Sequence, residues 1–140
     1  MRKYFTREYL RENKKELLIL VIYLVVTASY KLFNRAGGRV YLLNTALDDL
    51  IPFTKEFIIF YYYWYLFLAT IVISLFLKDK EAYFKLLKGY IMGACISYFI
   101  YLVFQSTVPR PQVIGTDFLS KMVRTIYSID EPYNCFPSLH

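Results

Sequence analysis

Histidine occurs once in these 140 residues and cysteine twice. Cys95 falls inside an apolar run and Cys135 lies close to His140, without the ligand spacing of a metal cluster, so neither thiol needs a chemical role. No metal site and no cofactor are expected. Internal repeats and low-complexity tracts are absent, which leaves no repeat architecture to consider. None of the long apolar runs has an ionisable residue at its centre, and this weakens a transporter or channel reading. The net charge of +6 is not matched by any compact polar module that would present it to nucleic acid. Attraction to anionic lipid headgroups accounts for it better.

What is present decides the class. Hydrophobic residues make up 57% and aromatic residues 20% of the chain, more than a soluble domain of this size can bury. They come in three blocks separated by charged stretches, the distribution of an all-α polytopic membrane protein. The first block, 17–33, meets its first internal charge at Lys31, and Asn13 with Glu16 has the spacing of a capping box at its start. The second, 57–77, is uncharged and at about 1.5 Å per residue spans roughly 30 Å, the thickness of the hydrocarbon core. The third, 89–104, holds Gly89, Gly93, Ala94 and Ser97, small residues that allow close helix approach.

Positive charge orients the spans. Arg2, Lys3, Arg7, Arg11, Lys14 and Lys15 precede the first, while Lys78, Lys80, Lys85 and Lys88 fill the connection between the second and third. Both regions are expected inside, with a cytoplasmic N-terminus in a bacterial plasma membrane. The N-terminal segment, with Tyr4, Phe5, Tyr9 and Leu10 among its arginines, suits either an interfacial helix or a solvated topogenic tail. Thr27-Ala28-Ser29 is a weak cleavage site, so the first span is expected to be retained. The run Phe60 to Tyr65 suits an aromatic belt.

The outward segments carry the polar motifs. Gly37-Gly38 predicts a turn, Pro52 suits the entry to the second span, and Asp48 with Asp49 suits capping or solvation better than cation binding. Pro109-Arg110-Pro111 cannot continue the third helix and holds a guanidinium near the headgroups, where it can snorkel to lipid phosphates or grip a phosphate substrate. Beyond Gly115, Thr116 or Asp117 can cap a short helix whose Phe118, Leu119, Met122, Val123, Ile126 and Ile129 form an apolar stripe. The stripe suits an interfacial helix at the membrane surface and equally well packing against the spans; either way the helix, within an outer loop over 105–140, would return the chain toward Arg110. In Pro137-Ser138-Leu139-His140 a hydroxyl and a backbone N–H near Leu139 can hold phosphate oxygens while the imidazole protonates a leaving alcohol.

Arg110-Pro111, the Pro-Ser-x-His block and Asp49-Leu50-Ile51-Pro52-Phe53 together resemble the type 2 phosphatidic acid phosphatase superfamily. The resemblance covers nearly the whole chain as the N-terminal part of a single domain. Leu139, where many members have glycine, makes it most similar to the inositol phosphorylceramide synthase-like branch. The resemblance implies a bundle of about six membrane helices and metal-independent hydrolysis or transfer of lipid phosphate esters through a phosphohistidine. Arg110 would bind the phosphate, Ser138 and Leu139 would help hold it, and His140 would protonate the leaving group. A family lysine ahead of the arginine is replaced by Val103, and a second block with the nucleophilic histidine would follow after further helices. The 140 residues are therefore expected to form a truncated version of the fold, inactive alone, with membrane lipids and a complementing C-terminal chain or integral membrane partner as company. A small non-catalytic membrane interaction protein, or remnant, is the competing reading.

Overall fold

A computed structural model describes residues 7–35 and 37–138. The chain is mostly helical: α1 (Arg7–Glu12), α2 (Lys14–Phe33), α3 (Ile58–Lys78), α4 (Lys80–Val103) and α5 (Phe118–Ile129), with short strands β1 (Val40–Leu42) and β2 (Gln105–Thr107). Three helical segments, Lys14–Phe33, Lys55–Lys78 and Lys80–Val103, are long and apolar enough to cross a membrane, the mark of a membrane protein. The expected all-α class needs one amendment, because β1 and β2 pair in parallel with Tyr41 opposite Ser106.

The third helix begins well before the apolar block that announced it. Only Asp79 separates α3 from α4, and its carboxylate accepts the Ala82 N–H at 3.0 Å as an N-cap. Lys80, Lys85 and Lys88, expected in a connection, are instead on α4, with Glu81 among them. Lysine and glutamate are good helix formers, so charge there limits the apolar run without ending the helix.

α4 is the central element and packs against both α2 and α3. Tyr83 and Leu87 are fully buried with Ile19 of α2, and Phe76 of α3 meets the Tyr83 ring edge-on at 5.6 Å between centroids. Farther along, Ala94, Tyr98 and Tyr101 bury against Val26, Tyr30 and Phe33 of α2. Lipid is as apolar as leucine, so such contacts act through packing and interhelical hydrogen bonds. Tyr83 donates to the Glu16 carbonyl at 3.1 Å and Tyr98 to the Val26 carbonyl at 2.7 Å, each worth about 1 kcal/mol. Of the small residues in the third block, Ala94 and Ser97 are buried, whereas Gly89 and Gly93 face open space.

The expected capping box at α2 does not form. The Asn13 amide donates to the Tyr9 carbonyl at 2.9 Å, and Lys80 claims the acceptors, with its Nζ at 2.7 Å from Asn13 Oδ1 and 2.9 Å from Glu16 Oε1. A charged donor outcompetes the backbone N–H groups. This ion pair places the start of α2 and the α3–α4 turn at one end of the structure, so the two lysine-rich regions share an end as expected. Pro52 lies ahead of the 3₁₀ turn Lys55–Phe57 that leads into α3.

Candidate functional site

At the opposite end the chain is tied together by polar side chains where α4 stops. Gln105, 5% exposed, donates to the Arg35 carbonyl at 2.7 Å and accepts the Gly37 N–H at 2.9 Å, binding the loop after α2 to the end of α4. Asn134, in the left-handed region at φ 61° that asparagine tolerates, donates from its amide to the Phe33 carbonyl at 2.8 Å and from its N–H to the Ser106 carbonyl at 2.7 Å. Thr107 and Tyr101 donate to the Pro132 and Pro137 carbonyls, each at 2.5 Å, and the Phe136 N–H donates to Ser106 Oγ at 2.9 Å. Segment 132–137 is thereby fastened to the end of α4, as a return of the chain toward Arg110 requires.

α5 covers the expected apolar stripe from Phe118 to Ile129, and Asp117 rather than Thr116 caps it, accepting the Ser120 N–H at 3.2 Å and its hydroxyl at 2.7 Å. Gly115, at φ +114°, leads into this cap; a Cβ there would stand 2.9 Å from Asp117 Oδ2. Lys55 Nζ lies 2.7 Å from the same oxygen and joins α5 to the start of α3. Lys55 and the Ser120 bonds hold the Asp117 carboxyl well below the usual carboxylate range.

Arg110 is reached from the other end of α5. Its Nη1 donates to the carbonyls of Asp130 at 2.6 Å and Tyr127 at 3.3 Å, Nη2 approaches Asp130 Oδ2 at 3.5 Å, and the guanidinium lies 4.5 Å from the centre of the Tyr127 ring. The arginine thus caps the C-terminal turn of α5, where carbonyls lack helical donors and the macrodipole favours a cation. Asp130 Oδ1 accepts the Asn34 amide at 2.5 Å, while Asn34 Oδ1 is buried without a hydrogen-bond partner among the described residues. The short contact to the carboxylate fixes the amide's nitrogen toward Asp130.

Two cavities meet at Asp130 and Tyr61. The smaller, about 300 Å³, is lined by Lys55, Tyr61, Arg110, Tyr127 and Asp130 between α5 and the start of α3. The larger, about 490 Å³, lies between α2 and α3 and includes Ser138, Asn134 and Asp130 in its wall. Arg110 and Ser138, the two described members of the sequence-derived site, line different cavities, and Asp130 lines both. His140 and Leu139 lie outside the described residues, as do Tyr4 and Phe5. Asp48 accepts from Thr45 N at 2.7 Å and Asp49 from Asn44 at 2.9 Å, so both carboxylates serve the turn, and no metal-ligand group of three occurs among the described residues. Burial pushes the Cys135 thiol up, which keeps it protonated and a poor ligand.

Gln105, Asn134, Asn34, Asp130 and Lys55 are the organising residues that sequence reasoning missed. Gln105 carried one usable signal: an amide directly at the end of an apolar run must find partners. Compared with family models, curated proteins and solved structures, the chain matches none.

Proposed function

We propose that these residues form the phosphate-binding part of a lipid phosphatase or phosphotransferase of the type 2 phosphatidic acid phosphatase kind, working at the outer face of a bacterial plasma membrane. In this reading α2, α3 and α4 are three spans of a roughly six-helix bundle, the N-terminus is cytoplasmic, and α5 lies in the outer interface. The observation that supports it is that Arg110 and Ser138 line two cavities that share Asp130 in their walls. Both hydrogens of Arg110 Nη1 are committed to carbonyls, so Nη2, held only by a 3.5 Å contact, is the nitrogen that would turn to a phosphate oxygen. Ser138 would hydrogen-bond the same phosphate and His140 would protonate the leaving alkoxide. A phosphohistidine route uses one histidine as nucleophile and one as acid; with a single histidine, these residues bind a lipid phosphate without turning it over.

A second reading, a non-catalytic protein that pairs with an integral membrane partner, draws support from Gly89 and Gly93. A Cβ at either would meet nothing within 4 Å, and exposed Met92, Ile96 and Phe99 share their stretch of α4.

One experiment separates the readings. Purified in detergent, the chain is titrated with short-chain phosphatidic acid and with isoprenyl pyrophosphate, following phosphorus resonances for binding and free phosphate for turnover. Saturable binding that Arg110→Ala and Ser138→Ala each weaken about tenfold, without phosphate release, is expected. Indifference of binding to both substitutions would leave the interaction reading standing, and robust His140-dependent release would overturn the assignment of this histidine as acid alone.

A further inference from the structure

The larger cavity is unlike a generic gap between membrane helices. Its walls hold seven tyrosines and Trp64, and the acidic group among its lining residues is the Asp130 carboxylate. Tyr30 of α2, Tyr61 of α3 and Tyr101 of α4 approach this end from three helices. Tyr30 and Tyr101 meet edge to face at 6.4 Å between centroids, as Tyr61 and Tyr65 do at 5.4 Å. Asp130 lines the same cavity as Tyr30 and Tyr61. Its two oxygens have one contact each, the Asn34 amide on Oδ1 and Arg110 Nη2 at 3.5 Å on Oδ2, so lone pairs remain. Lys31, the one cation among the lining residues, is exposed, and water and salt screen its charge.

Aromatic faces are negative, and several around one point attract a cation whose own charge is spread over carbon. A carboxylate at the same point adds Coulombic attraction, strengthened where walls of low dielectric exclude water. Neutral apolar ligands gain nothing from a carboxylate, and anions are repelled by it. Inorganic cations would have to surrender hydration to rings that cannot replace it; an organic ammonium loses far less. From this arrangement we infer that the cavity between α2 and α3 binds an organic ammonium group, caged by Tyr30, Tyr61, Trp64 and Tyr101 and paired with Asp130. The inference does not depend on the phosphate chemistry proposed above. Both a free ammonium compound and the ammonium of a lipid headgroup have the required chemistry.

Trp64 is the only tryptophan of the chain and lines the cavity, so its fluorescence reports occupancy directly. The chain purified in detergent is titrated with choline and with its uncharged isostere 3,3-dimethylbutanol; in parallel it is placed in nanodiscs of phosphatidylcholine or of phosphatidylglycerol. A saturable change in Trp64 emission with choline, at least about tenfold tighter than with the isostere, is expected for a free ligand. Emission that differs between the two nanodiscs, and is abolished by added choline, assigns the ammonium to a lipid. Asp130→Asn should weaken either response about tenfold. Because that change also touches Arg110 and Asn34, the ring pair is decisive: Tyr61→Phe retains binding, whereas Tyr61→Leu loses about fivefold. Equal affinity for choline and its isostere, no saturable response in either arm, or indifference to Tyr61→Leu would overturn the inference.

Discussion

Arg110 and Asp130 hold each other through both backbone and side chain: Nη1 lies 2.6 Å from the Asp130 carbonyl and Nη2 3.5 Å from its carboxylate. The pair closes the end of α5 and links it to Asn34 after α2, so one arginine secures three parts of the chain.

Arg110→Ala should cost about 2 kcal/mol, the value of a charged hydrogen bond lost with its helix-terminal interaction, and Arg110→Lys should recover less than half because an ammonium cannot fork between two carbonyls. Thermal unfolding in detergent checks the order. Equal stability of lysine and arginine variants would contradict the capping role.

Gln105→Leu keeps the volume but strands the Gly37 N–H and the Arg35 carbonyl. Both residues are exposed, so water takes up part of the loss and the cost is about 1 kcal/mol. Hydrogen exchange at Gly37 should accelerate well before global unfolding, since the loop after α2 loses its tie to α4.

Lys80→Met leaves Glu16, with its side chain 10% exposed, without its cation. Half of the lysine is exposed, so the loss falls between surface and buried pairs at about 2 kcal/mol. Adding Glu16→Gln should restore most of it, and a double-mutant cycle measures the coupling.

Asp117 predicts an acid limit for the docking of α5. Its folded carboxyl titrates below the unfolded value of 3.8, chiefly because of Lys55, so its contribution is complete above that value and fades as pH falls through it toward the depressed folded one. Lys55→Met should shift the Asp117 transition upward toward pH 3.8, read from its carboxyl carbon resonance. A titration unmoved by Lys55→Met would remove the ion pair from the explanation.

Much of the helical layout was readable from composition, because a span long enough to cross lipid cannot hide its apolar run. α5 was readable too: its stripe repeats at helical spacing, and Asp117 is a residue type that caps. The start of α4 was not, since hydropathy measures how much of a helix suits lipid rather than where the helix begins. Residues organising the far end escaped for a different reason. Asn34 and Asp130, or Gln105 and Arg35, are far apart along the chain, and no local period connects them. Arg110 was legible as a cation held near its helix end; its engagement with the carbonyls of α5 depends on how the intervening loop folds back.

The single residue between α3 and α4 restricts how this molecule can move. One extended residue reaches at most about 3.6 Å, so the two helices cannot slide past each other by even one helical turn. With Lys80 also latched to Glu16, that end acts as a hinge pin. Any widening of the space between α2 and α3 must then occur as an angular opening at the opposite end, like the jaws of a pair of tongs, with Asn34 and Asp130 as the catch.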